Sequence, residues 1–181
     1  MTKKAAPRLA IGDIFEPKRV AVFGASDDRG KWGGRIMHYL ALHGFVGEAV
    51  PINPRRDIVH GRKCYARIGD APPVEVAVIA VPAASVPQTL RECAQADVGC
   101  CVIVTAGFAE AGPEGETAQK EIEAIAAQSG MRLLGPNCLG LINFRNGMAL
   151  TSARVLDVEK VLKGHIGLVS QSGALMLSVY N

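Results

Sequence analysis

The residues with the clearest capacity for chemistry in this chain are ones that bind anions. Gly24-Ala25-Ser26-Asp27-Asp28-Arg29-Gly30-Lys31-Trp32-Gly33-Gly34 follows a short apolar run and precedes a helical pattern. Glycines in such a turn let backbone N–H groups approach a phosphate, and the dipole of the following helix favours negative charge there. The loop is longer than the dinucleotide fingerprint G-x-G-x-x-G, with Ser26 where its second glycine would fall, so it could wrap a larger phosphate group. A glycine-rich turn without a ligand is the alternative reading.

A second site of charge lies about twenty residues on. An NAD-type site places Asp or Glu there for the ribose hydroxyls, but this chain has Asn53-Pro54-Arg55-Arg56. Guanidinium groups bind phosphate through paired, charge-assisted hydrogen bonds. The ribose expected here therefore carries a phosphate: the 3′-phosphate of coenzyme A or the 2′-phosphate of NADP. A solvated basic loop is the competing explanation. Small residues at two further strand ends, Val81-Pro82-Ala83 and Thr105-Ala106-Gly107, would leave a channel for a flat ring or a thin tail.

These residues need elements to position them. Arg19–Phe23, Ala49–Asn53, Val74–Val81, Cys100–Thr105 and Arg132–Gly135 read as short apolar strands. Helical spacing lies between them, over Gly33–Gly44, from Ser85 as N-cap to Ala96, and from Pro113 to Gly130. Pro51 places the second strand at an edge or a bulge. Strand and helix alternate at β-α-β spacing, which predicts an α/β fold: a Rossmann-like, doubly wound, mostly parallel sheet. The expected divisions are a flexible lead over 1–13, a nucleotide-binding domain over 14–145, a linker over 146–163, and the truncated start of a second α/β domain over 164–181, with a strand at Ile166–Ser170.

Composition narrows the function. The 181 residues carry a formal net charge of +3, with scattered Lys and Arg and 5% aromatics, unlike a nucleic-acid surface. No apolar run approaches the length needed to span a bilayer, and no apolar stretch follows Lys3 and Lys4 as in a signal peptide. A cytoplasmic location is expected. The five cysteines show no C-x-x-C spacing and read as buried free thiols, with Cys100 and Cys101 on opposite faces of a strand. The four histidines show no ligand-like pairing, so no metal site is expected.

Six strings in order carry a resemblance: Gly24 to Gly34, Ile52 to Arg56 (INPRR), Val78 to Ala83 (VIAVPA), Val104 to Glu110 (VTAGFAE), Gly135 to Asn143 (GPNCLGLIN) and Gly167 to Leu175 (GLVSQSGAL). Together they resemble the CoA-binding domain of ADP-forming acyl-CoA synthetases, the acetate–CoA ligases, with the α subunit of succinyl-CoA ligase more distant. The resemblance implies that Gly24, Ala25, Ser26, Gly30, Lys31 and Gly33 surround the CoA phosphates. It implies that Asn53, Pro54, Arg55 and Arg56 meet the nucleotide end and that Val81 and Pro82 lie beside the adenine. Ala106, Gly107 and Glu110 would sit near the thiol arm, and Pro136 and Asn137 near the reacting end.

No catalytic residue is expected in the chain. The family's phosphorylated histidine belongs to the next domain, and His165 occupies a structural strand entrance. The ATP-grasp part is absent too, so the remaining ligase domains or a partner subunit are expected partners, with self-association also open. A CoA-binding regulatory domain of a protein lysine acetyltransferase and an NADP-dependent reductase are the alternatives. Ser172 as a hydrolase nucleophile fails because Ser170 stands where the elbow needs glycine.

Overall fold

A computed structural model describes residues 8–180, without the side chains of 177, 179 and 180. In chain order its strands and helices are α1 (Ile11–Ile14), β1 (Arg19–Phe23), α2 (Trp32–Leu42), β2 (Glu48–Ile52), β3 (Ile58–Val59), β4 (Arg62–Lys63), β5 (Val76–Ile79), α3 (Val86–Gln95), β6 (Cys100–Ile103), α4 (Pro113–Ser129), β7 (Arg132–Leu134), β8 (Gly140–Asn143), β9 (Met148–Thr151) and α5 (Gly173–Tyr180).

Five strands form one sheet in the order β2-β1-β5-β6-β7, and every pair in it is parallel. Alternation along each strand feeds two cores. Val20, Val22, Val76, Val78, Cys100 and Val102 face Ile36, Met37 and Leu40 of α2. Ala21, Phe23, Ala77, Ile79, Cys101 and Ile103 face Leu90 and Cys93 of α3 and Ile122 of α4. Helices therefore cover both faces, as a parallel sheet buried on two sides requires. Cys100 and Cys101 point to opposite cores as their adjacency predicts, and Pro51 lies in the edge strand β2. The five cysteines are free thiols. Burial pushes the Cys100 thiol up to about 12 and raises that of Cys101.

Several expectations need correction. Residues 8–10, read as part of a flexible lead, are tied down: Arg8 N–H donates to Gly130 O, and Arg132 Nε donates to Leu9 O. Residues 1–7 lie outside the described residues. Ser85 provides no side-chain cap for α3. It belongs to a preceding 3₁₀ turn, and its carbonyl accepts from Thr89 Oγ1.

The segment read as a linker from Asn146 begins with β9, which is fully buried, pairs antiparallel with β8, and packs with α2 on the first core. A four-residue buried strand carries no alternation to announce it. The strand expected at Ile166–Ser170 does not form among the described residues. Its apolar side chains are not packed against anything that would favour a strand: Ile166 and Val169 are each 96% exposed. Ser172 caps α5, its Oγ accepting from Leu175 N–H.

Candidate functional site

The strand order reverses at β1, whose two neighbours are β2 and β5. Ligands of open parallel sheets bind beyond the carboxyl ends of the strands at such a switch point. A cleft of about 410 Å³ lies there, lined by Gly24, Lys31, Trp32, Gly33, Ala80, Val81, Pro82, Thr105 and Ala106.

Backbone contact at two glycines builds its floor. Gly24 leaves β1 with φ +76°, and a Cβ there would stand 2.3 Å from Ala80 O. At Gly33 a Cβ would stand 2.1 Å from Gly24 O, so the first turn of α2 rests directly on the loop. The loop between them is held by its own polar groups. Ser26 is buried and its Oγ accepts from Asp28 N–H, while Asp28 Oδ1 accepts from Gly30 N–H. Asp27 Oδ1 accepts from His60 N–H, which ties the loop to the β3–β4 hairpin. Lys31 remains over the cleft, with Nζ 3.9 Å from Asp28 Oδ2.

Beside the cleft, the end of β2 is fixed to the same loop. Asn53 Nδ2 donates to Ala25 O at 2.8 Å, and Asn53 Oδ1 accepts from Arg55 N–H at 3.0 Å. That turn presents Pro54, Arg55 and Arg56 to solvent. Neither guanidinium group has a hydrogen bond or an ion pair among the described residues. Both cations are thus free to meet a ligand from solvent.

On the other side, Thr105 Oγ1 donates to Val81 O at 2.7 Å and joins the ends of β5 and β6. The Glu110 carboxylate accepts from Gly107 N–H at 2.7 Å and Phe108 N–H at 3.2 Å, and so shapes its own turn. The Gly107 bond, before all else, holds its carboxyl below the usual range. This turn should therefore be stabilised by Glu110 above about pH 4.5. That contribution is lost as the pH falls through the lower folded-state value. Hydrogen-exchange protection of the Gly107 amide should fall in acid in the wild type and be low at all pH in Glu110→Ala. Protection in that variant equal to wild type would refute the role.

The cleft thus gathers Gly24, Lys31, Gly33, Val81, Pro82 and Ala106 from the predicted set. Ala25 and Ser26 are buried within the loop, and Gly30 lies on its exposed side. Asn53 to Arg56 flank the cleft, and Gly107 and Glu110 form the neighbouring turn. Pro136 and Asn137 follow β7, where Asn137 N–H donates to Thr105 O. Sequence reasoning gave no role to Trp32 or Ala80, and named Thr105 only as part of a strand end that leaves a channel. Trp32 stood inside the quoted glycine loop, but nothing in its spacing showed which way it would face.

The fold and cleft define a Rossmann-like nucleotide-binding domain. Residues 18–143 match the CoA binding domain family. The chain belongs to that family. It is 42% identical over 167 residues to acetate–CoA ligase (ADP-forming) II of Archaeoglobus fulgidus, across 92% of this chain and 24% of that protein. It is 41% identical over 163 residues to the alpha subunit of acetate–CoA ligase (ADP-forming) II of Pyrococcus furiosus, across 90% of this chain and 34% of the subunit. The solved structure of the dinucleotide-forming acetyl-coenzyme A synthetase 1 of Ca. Korarchaeum cryptofilum, in complex with phosphate and ADP, superposes with a TM-score of 0.87 at 37% identity. That match covers 94% of this chain and 36% of the other. The chain thus spans about a quarter to a third of the length of these relatives. Among the described residues no helix is long and apolar enough to cross a membrane.

The residues present suit coenzyme A. The glycine floor would be filled by any Cβ, the helix N-terminus and Lys31 suit a pyrophosphate, and Arg55 and Arg56 suit a phosphate on the ribose.

Proposed function

We propose that this chain binds coenzyme A as the nucleotide-binding part of an ADP-forming acyl-CoA synthetase. The observation that carries the reading is the pair of unpartnered guanidinium groups at the end of β2, where an NAD site has an acid. Arg55 and Arg56 hold the 3′-phosphate. The amides of the Gly24–Gly34 loop and the N-terminus of α2 hold the pyrophosphate, and Lys31 adds charge at the same place. Bound coenzyme A supplies a thiol that carries the acyl group. The chain's own residues bind and orient it, and Val81, Pro82 and Ala106 exclude water from one side. Acyl transfer and nucleotide chemistry belong to further domains or a partner subunit.

The exposure of Leu162 at 88% and of Ile166 and Val169 at 96% supports a further domain or subunit covering that segment. A second copy of the chain is the alternative occupant. Free buried thiols agree with a cytoplasmic location.

A ligand that binds only the folded state stabilises it by about 2.7 kcal/mol at a hundred times its Kd. Thermal unfolding should therefore shift upward by several degrees in excess CoA, with no comparable shift in NADH. Identical unfolding curves with and without CoA would contradict the reading. For the parent protein, a carboxylic acid, ATP and CoA should yield acyl-CoA, ADP and phosphate. Acetyl transfer to protein lysine, with no ADP formed, would point to the regulatory alternative.

A further inference from the structure

Trp32 is the only tryptophan in the chain and the first residue of α2. It is 43% exposed and belongs to none of the apolar clusters of the described residues. Among the described residues, no ring contact, cation–π pair or side-chain hydrogen bond engages it. A tryptophan normally buries about 150–250 Å². Here the indole instead forms a wall of the cleft, together with Ala80, Val81, Pro82 and Ala106. Thr105 adds little polarity, because its hydroxyl is committed to Val81 O at 2.7 Å and Ile79 O at 3.3 Å.

We propose that Trp32 is the binding residue that packs against the uncharged arm of coenzyme A, between pyrophosphate and thiol, and so favours ligands bearing that arm. This rests on the reading of the cleft as a CoA site. The argument combines strand order with covalent order. Arg55 and Arg56 stand at the end of β2, and the glycine loop at the end of β1. These two places take the ribose phosphate and the pyrophosphate. In coenzyme A the arm leaves the pyrophosphate on the side away from the ribose. Continued along the order β2-β1-β5-β6, it lies over the ends of β5 and β6, where Trp32 and Ala106 line the cleft and where Val81 and Pro82, given to the adenine by the family resemblance, would face the arm instead. An arm of methyl, methylene and amide groups suits an indole face, and no side-chain cation other than Lys31 lines this cleft.

The test uses the intrinsic emission of Trp32 and calorimetry, with CoA and adenosine 3′,5′-bisphosphate, which lacks the arm, as probes. CoA should change the emission and the bisphosphate should bind without doing so. Trp32→Ala should weaken CoA by about tenfold, as expected for uncovering part of an aromatic side chain, and leave the bisphosphate unchanged. Trp32→Phe should recover most of the loss. Since Trp32 lies outside the core, both variants should unfold at the wild-type temperature. Equal CoA affinity in Trp32→Ala, or a bisphosphate-induced emission change as large as that with CoA, would overturn the assignment of Trp32 alone. Failure of CoA to bind the wild-type chain would overturn the underlying reading with it.

Discussion

Gly33→Ala should abolish measurable CoA binding and lower stability by about 2–4 kcal/mol, near the upper range for a single substitution. The added Cβ would meet Gly24 O at 2.1 Å, Gly24 C at 2.6 Å and Ala25 N at 3.1 Å. All three are backbone atoms of the loop leaving β1, so no side chain can rotate aside. Relief requires the start of α2 to rise by about 1 Å, which parts the amides from the bound anion and strains the core beneath Ile36 and Met37. Gly12→Ala is the matched control, because nothing lies within 4 Å of its added Cβ. Its unfolding temperature and CoA affinity should stay close to wild type. If Gly33→Ala behaved like that control, the close approach of helix and loop would not be what shapes the site.

Arg55→Ala combined with Arg56→Ala should lower CoA affinity by about ten- to a hundredfold while leaving stability unchanged. Charge-assisted hydrogen bonds are each worth about 1.5–3 kcal/mol, and exposure to solvent and salt keeps the net effect at the lower end. Both side chains are exposed and have no ion pair among the described residues, so folding does not depend on them. The affinity for dephospho-CoA should barely change, since it lacks the phosphate these groups hold. Equal losses for both ligands would place the arginines elsewhere on the nucleotide.

The frame of this site was legible in the sequence because its strands are short, largely apolar and separated by turns. Val76–Ile79 and Cys100–Ile103 are fully buried, and Pro51 could only lie where a missing N–H does no harm. The anion-binding loop and the Arg55–Arg56 pair were visible for a related reason, since backbone approach needs glycine and phosphate needs fixed charge. Other features depended on contacts between distant segments. Met148–Thr151 reads as loop until α2 and β8 bury it. The role of Glu110 in its own turn follows from a backbone geometry that its letter does not encode. The exposure of Trp32 follows from the way Gly33 seats the helix on the loop, bringing the preceding side chain over the cleft.

The most direct test of the central claim is calorimetric titration of the purified chain with CoA, dephospho-CoA, NADPH and NADH at one fixed ionic strength. Coenzyme A should bind most tightly, with dephospho-CoA weaker by about tenfold or more. Tighter binding of NADPH than of CoA would contradict the account.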